Sequence, residues 1–227
     1  MHPLDLTGKR VLLTQAKDFM GPVLEEVFRE LGATVIADHG PLDHPARPAA
    51  LIQEAGQVDI VLANLGIPAP STPAAEASED EWRMAFVHMV DPLHRLVKSV
   101  LPQMTERGSG KIILIGSASA LRGIRRASTY SAARGAQLAY IQSVGVEVAA
   151  RNVQVNAIAQ NYVDNPTYFP AEVQANPVFK DKLKREVPLG RLVSAREDAM
   201  FAAYLSSASA DCFVGQIFPV CGGWVPR

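Results

Sequence analysis

The sequence predicts an α/β fold: a Rossmann-like three-layer sandwich with one parallel sheet covered by helices on both faces. Three observations predict it. Short β-branched runs alternate with longer amphipathic stretches along the whole chain, the pattern of a doubly wound domain. The runs are apolar throughout rather than at every second residue, as expected of strands buried on both faces. A length of 227 residues suits one large core and leaves little room for a second, so residues 1–227 are read as a single domain.

The elements follow in order. Residues 10–14 (RVLLT) form the first strand and residues 21–31 the helix after it, closed by Gly32. Residues 34–38 (TVIAD) are the second strand, with Asp38 either a solvated strand end or a remnant of a ribose-binding position. A connection rich in proline (Pro41, Pro45, Pro48) leads to a short helix over 49–55. Residues 59–64 (DIVLAN) are the third strand. Residues 79–107 are mostly helical, with Pro92 and Pro102 expected to bend or break the helix. Residues 111–117 (KIILIGS) are a strand, 128–150 a helix, and 153–159 (VQVNAIA) a strand. Residues 160–190, carrying Pro166, Pro170, Pro177 and Pro188, read as a long irregular insert. A helix over 195–208 and a strand over 216–220 lead to Gly222 and Gly223.

Composition narrows the function classes. A net charge of −1 provides no electrostatic footprint for nucleic acid or an anionic membrane surface. No apolar run approaches the ~20 residues that span a bilayer. The N-terminal residues lack the pattern of a secretory signal, so a cytoplasmic protein is expected. Cys212 and Cys221 make neither a disulfide framework nor a metal pair, and His39 and His44 lack further ligand spacing, so no metal is expected. The Arg122, Arg125 and Arg126 cluster reads as solvated surface.

The chemistry lies in GSASALRGIRRASTYSAAR. It places Ser117 at a strand end, Tyr130 on the following helix, and Arg134 one turn further on the same face. This stretch resembles the catalytic region of the short-chain dehydrogenase/reductase superfamily, in which Ser and Tyr are followed by Lys at the Arg134 position. Asn64, the run Pro188-Leu189-Gly190-Arg191 and the pair Gly222-Gly223 extend the resemblance over nearly the whole chain. It implies a short-chain dehydrogenase-like fold.

The cofactor end departs from that pattern. A dinucleotide fold needs a glycine-rich turn after its first strand so that backbone can approach the pyrophosphate. The dehydrogenases carry Thr-Gly-x-x-x-Gly-x-Gly there. This chain reads Thr14-Gln15-Ala16-Lys17-Asp18-Phe19-Met20-Gly21, with Gln15 and Phe19 at the first two glycine positions. Gln160-Asn161 stands where the dehydrogenases commonly have Pro-Gly beside the nicotinamide, and Met89 where they usually carry an Asn of the proton relay.

Loss of these features beside a retained Ser117 and Tyr130 resembles the halohydrin dehalogenases. Both of that family's patterns, Thr-x4-Phe-x-Gly and Ser-x12-Tyr-x3-Arg, match without a gap. The resemblance implies a lyase with Ser117, Tyr130 and Arg134 as catalytic triad, no cofactor, and no metal. It places halide against Phe19, Gln160, Asn161, Tyr162, Val163 and Phe169, and substrate against Ser119, Tyr168 and Trp224. It implies small-molecule partners only (a haloalcohol or epoxide, and a halide or other small anion) and a homotetramer built through residues 79–107 and 128–150.

The residue chemistry agrees with such a role. A cation near a phenol lowers its pKa from about 10 by ~1–3 units, which suits a general base near neutral pH. An arginine keeps its charge where a desolvated lysine can lose it, and here it is expected to reach both the tyrosine and solvent. Backbone N–H groups around residues 161–163 are expected to hold the leaving halide. Two alternatives stand beside this reading: an NAD(P)-dependent short-chain reductase, and a non-catalytic binding protein derived from one.

Overall fold

The computed structural model describes residues 4–225. Six parallel strands form its sheet: β1 Arg10–Leu13, β2 Thr34–Ala37, β3 Ile60–Asn64, β4 Gly110–Ser117, β5 Val153–Gln160 and β6 Ile217–Val220, in the order β2-β1-β3-β4-β5-β6. The chain steps from β1 to β2 on one side and then returns to β3 on the other. That reversal opens a crevice at the carboxyl ends of β1 and β3, where doubly wound folds place their ligands.

Side chains leave a strand on alternate faces, and the two cores follow that alternation. Leu12, Ile112 and Leu114 face α2 (Arg47–Ala55), α4 (Asp91–Arg107) and α5 (Ser128–Val148). Val11, Leu13, Ile113 and Ile115 face α1 (Gly21–Glu30) and α8 (Ala195–Ser206). Both faces of β4 are therefore sealed. Burying one such side chain is worth about 1.5–3 kcal/mol, which explains why these runs carry no polar alternation.

Two expectations about proline need correction. Pro92 does not break the helical run over 79–107. A single π-helical turn, Phe86–Val90, joins α3 (Glu79–Ala85) to α4 just before Pro92, so the run is interrupted there but not ended. Pro102 sits inside α4 without ending it. The segment over 160–190 is also not irregular throughout. It holds α6 (Ala171–Ala175) and α7 (Pro177–Glu186); Asn176 caps α7 through the Val178 N–H, and Pro177 starts it. Asp38 is buried, and its Oδ1 accepts from Arg47 at 2.9 Å, so it is no solvated strand end.

No helix among the described residues is long and apolar enough to cross a membrane.

Candidate active site

The strand ends carry the site. Phe19 follows β1, Asn64 ends β3, Ser117 ends β4 and Gln160 ends β5, with Ser117 and Gln160 paired in register. Together with Tyr130 and Arg134 on α5 they line one cavity of about 180 Å³, closed by residues 161–163, Tyr168 and Phe169. The structure thus brings together ten of the twelve expected residues: Phe19, Ser117, Tyr130, Arg134, Gln160, Asn161, Tyr162, Val163, Phe169 and Tyr168. Ser119 and Trp224 do not line the cavity.

Each of those two has another place. Ser119 lies behind Ser117: its Oγ accepts from Ser117 Oγ at 3.0 Å, and its N–H donates to Ser117 Oγ at 3.2 Å. Trp224 packs edge-on to Tyr162 with centroids 6.2 Å apart, beneath the Arg122 guanidinium at 4.6 Å, and accepts from Arg122 through its carbonyl. Arg122 stays exposed, as expected of the arginine cluster, while making that contact.

Tyr130 is 5% exposed, and its hydroxyl lies 3.4 Å from that of Tyr168. Burial pushes the Tyr130 phenol up, but the Arg134 charge, with the hydrogen-bonding neighbours Tyr168, Arg134 and Ser117, outweighs it and holds the phenol below its ordinary value. Tyr168 moves the opposite way: burial and the neighbouring Tyr130 push it far up. Tyr168 donates its own proton to the Ile67 carbonyl at 2.8 Å. Of the two phenols, Tyr130 is the one whose ionised form its surroundings favour.

Arg134 does not reach solvent as expected. It is 5% exposed, with its guanidinium carbon 5.1 Å from the Tyr130 ring centre. Nη1 donates to Leu65 O at 2.9 Å, to Ile115 O at 3.3 Å and to Gln137 Oε1 at 2.9 Å. The carbonyl ends of β3 and β4 thereby replace water around the charge. Gly66 makes room for it, since a Cβ there would lie 2.7 Å from Arg134 Nη2. Gln137, fully buried, also donates to Met89 O at 2.8 Å. Sequence reading missed Gln137, although its position three residues beyond Arg134 on one helix face is the signal that could have found it.

The turn after β1 does not fit a dinucleotide. Gln15 and Phe19 both lie in the left-handed region, with φ of 45° and 51°, as glycines would. Their side chains fill the space that glycine would leave. Gln15 Nε2 donates to Gly66 O at 3.1 Å and its Oε1 accepts from Gly66 N at 2.8 Å, a strap between the ends of β1 and β3. The Phe19 ring lies 5.6 Å from that of Tyr168 and against Gly66. Gly21 is held by sterics: a Cβ there would meet backbone of Ala16 and Gln15 at 2.5 Å.

The loop after β5 offers fewer donors than expected. Asn161 N–H donates to Val220 O, and Tyr162 N–H to the Asn161 side chain. Tyr162, at φ 51°, turns the chain so that the Val163 N–H has no partner among the described residues. The Tyr162 hydroxyl is pushed up to about 12 by burial and by Glu186, to which it donates at 3.0 Å.

Residues 4–225 match the family model described as enoyl-(acyl carrier protein) reductase, and the chain belongs to this family of the short-chain dehydrogenase/reductase superfamily. It is 29% identical to a 3-oxoacyl-(acyl-carrier-protein) reductase of Vibrio cholerae, over 97% of this chain and 98% of that protein. A solved structure titled a dehalogenation enzyme superposes with a TM-score of 0.91 at 31% identity, covering 97% of this chain and 100% of that one. A halohydrin dehalogenase bound to ethyl (2S)-oxiran-2-ylacetate superposes with a TM-score of 0.85 at 26% identity, covering 96% and 99%.

Proposed function

We propose that this protein is a halohydrin dehalogenase: a lyase that converts vicinal haloalcohols to epoxides and halide without a nucleotide, and opens epoxides with small anions in reverse. One observation carries the reading. The acid–base phenol Tyr130 stands with its pKa depressed beside Arg134, while Phe19 and Gln15 fill the turn that a dinucleotide requires. The likeness to the two dehalogenase structures supports it.

In the proposed reaction Ser117 donates a hydrogen bond to the substrate oxygen. Its present donation to Ser119 can reverse, because Ser119 carries its own hydroxyl proton and already donates its N–H to Ser117. The Tyr130 phenolate takes the substrate hydroxyl proton. The oxygen attacks the adjacent carbon from the rear, forming the C–O bond of the epoxide, and the C–halogen bond breaks with its electron pair leaving on the halide. No hydride moves. The halide leaves toward the Val163 N–H and the rings of Phe19 and Phe169, whose edges carry partial positive charge. Orientation and charge stabilisation supply the acceleration. By the same resemblance the protein assembles as a homotetramer through faces that carry the exposed Trp82, Met84 and Val146.

An NAD(P)-dependent reductase is the competing reading, favoured by the likeness to the 3-oxoacyl-(acyl-carrier-protein) reductase of Vibrio cholerae. One experiment separates the two: halide release from a vicinal haloalcohol by nucleotide-free protein. The dehalogenase reading expects release by wild type and loss in Tyr130→Phe. A rate that appears only with added NAD(P)H, or an unchanged Tyr130→Phe variant, would overturn it.

A further inference from the structure

Behind the cavity lies a carboxyl group for which the proposed reaction has no use. Asp198 on α8 is 0% exposed and sits beneath the end of β5. Its Oδ2 accepts from Gln160 Nε2, and its Oδ1 has no partner among the described residues. Gln160 lines the cavity, so a buried ionisable group is one hydrogen bond from the anion pocket. Leaving a charge there is costly without compensating partners. Burial pushes the Asp198 carboxyl up to about 7, with Gln160 pulling weakly the other way.

No neighbouring charge accounts for that shift. On α8 itself, Arg196 pairs with Glu30 of α1 and Glu197 with Arg191. On α1, Glu25 pairs with Arg29, and Glu26 is exposed and acts on Arg196. On the β4 side, Lys111 pairs with Asp211. Across the cavity stand Tyr130 and Arg134. Asp198 therefore answers to burial and to Gln160 alone.

A carboxamide can offer either end to a carboxyl group, because turning it by half a revolution exchanges a donor for an acceptor at nearly the same positions. We propose that Asp198 is a positioning residue that makes anion binding in the cavity depend on its protonation. Neutral Asp198 donates to Gln160 Oε1 and leaves the two Nε2 hydrogens for an anion. Ionised Asp198 holds Nε2, turns the amide oxygen to the cavity and adds its own negative charge behind it. Halide binding then takes up a proton at Asp198, and loss of that proton favours halide release. Ring opening by an added anion is favoured on the acid side of this titration, and halide departure on the alkaline side. The inference rests on the anion pocket of the proposed function.

Bromide alone is the probe, titrated calorimetrically at pH 6 and pH 8.5 in the Tyr130→Phe background so that the phenol does not contribute. The proposal expects bromide affinity to fall by about tenfold or more between the two pH values. In Asp198→Asn the affinity stays flat near the acid-side value. Gln160→Met, which keeps Asp198, serves as the second variant should the first fail to fold, and it also loses most of the fall. A flat profile in the parent protein, or an undiminished fall in either folded variant, overturns the role of Asp198 and leaves the dehalogenase reading intact. Absence of bromide binding at both pH values overturns both.

Discussion

The hydroxyls of Tyr130 and Tyr168 lie 3.4 Å apart, yet the two phenols are driven in opposite directions. Arg134 stacks on the ring of the first, while the second commits its proton to the Ile67 carbonyl. A pair of like groups pushed apart in this way assigns the base to one of them. Tyr168 remains a neutral neighbour that can turn its proton toward a Tyr130 phenolate.

Removing the base should remove the reaction. Tyr130→Phe keeps the ring and its contact with Arg134 but deletes the proton acceptor. General acid–base groups contribute typically 10²–10⁴-fold, so halide release should fall by about that factor with folding unchanged by circular dichroism.

The pH profile tests the source of the Tyr130 shift. In the proposed reaction the active form is the phenolate, so halide release should rise with pH through the Tyr130 titration and be lost below it. Arg134→Met deletes the charge that lowers the phenol. The ascending limb should then move to higher pH by ~1–3 units, while the rate at saturating pH changes less. An unmoved limb would mean that Arg134 does not set the acidity of Tyr130.

Gln137 tests how the buried arginine is held. In Gln137→Leu, Arg134 keeps Leu65 O and Ile115 O but loses its side-chain acceptor, and Met89 O loses its donor. Leaving such groups unsatisfied costs about 1–3 kcal/mol, readable as a shift of the urea midpoint. Halide release should slow as well, since Arg134 is then less well fixed against Tyr130.

Asp198 predicts a pH dependence of stability. Burial raises its folded pKa to about 7, above the ordinary aspartate value of 3.8. A raised folded pKa contributes stability that is fully present below the unfolded value and lost as pH rises through the folded one. Urea unfolding should therefore show wild type losing up to a few kcal/mol relative to Asp198→Asn between about pH 4 and pH 7. Parallel curves for the two proteins over that window would contradict the burial of an ionisable carboxyl.

The fold was legible because its strands carry a signal that tertiary contacts do not override. A run such as IILI in β4 has no polar face, and only a sheet covered on both sides accommodates it. The meeting of Tyr130 and Arg134 was legible for a related reason: they are one turn apart on a helix, so spacing alone places them together. What escaped depended on three-dimensional neighbours. The two prolines after Asn165 and Phe169 suggested an irregular chain, yet Asn176 and Pro177 start a helix as a cap and a first-turn proline do. Trp224 has an aromatic ring suited to a substrate pocket, but Arg122 and Tyr162 take it. Asp198 is an acid in the first turn of α8, and only the meeting of that helix with the end of β5 buries it against Gln160.

The most direct measurement is crystallographic. Crystals soaked in sodium bromide, read by the anomalous signal of bromine, should show a peak in the cavity beside the Val163 N–H and between the rings of Phe19 and Phe169. Parallel soaks in NADH should leave the turn at Gln15 and Phe19 unchanged. Dinucleotide density lying across that turn, or a cavity without bromide, would contradict the proposed chemistry.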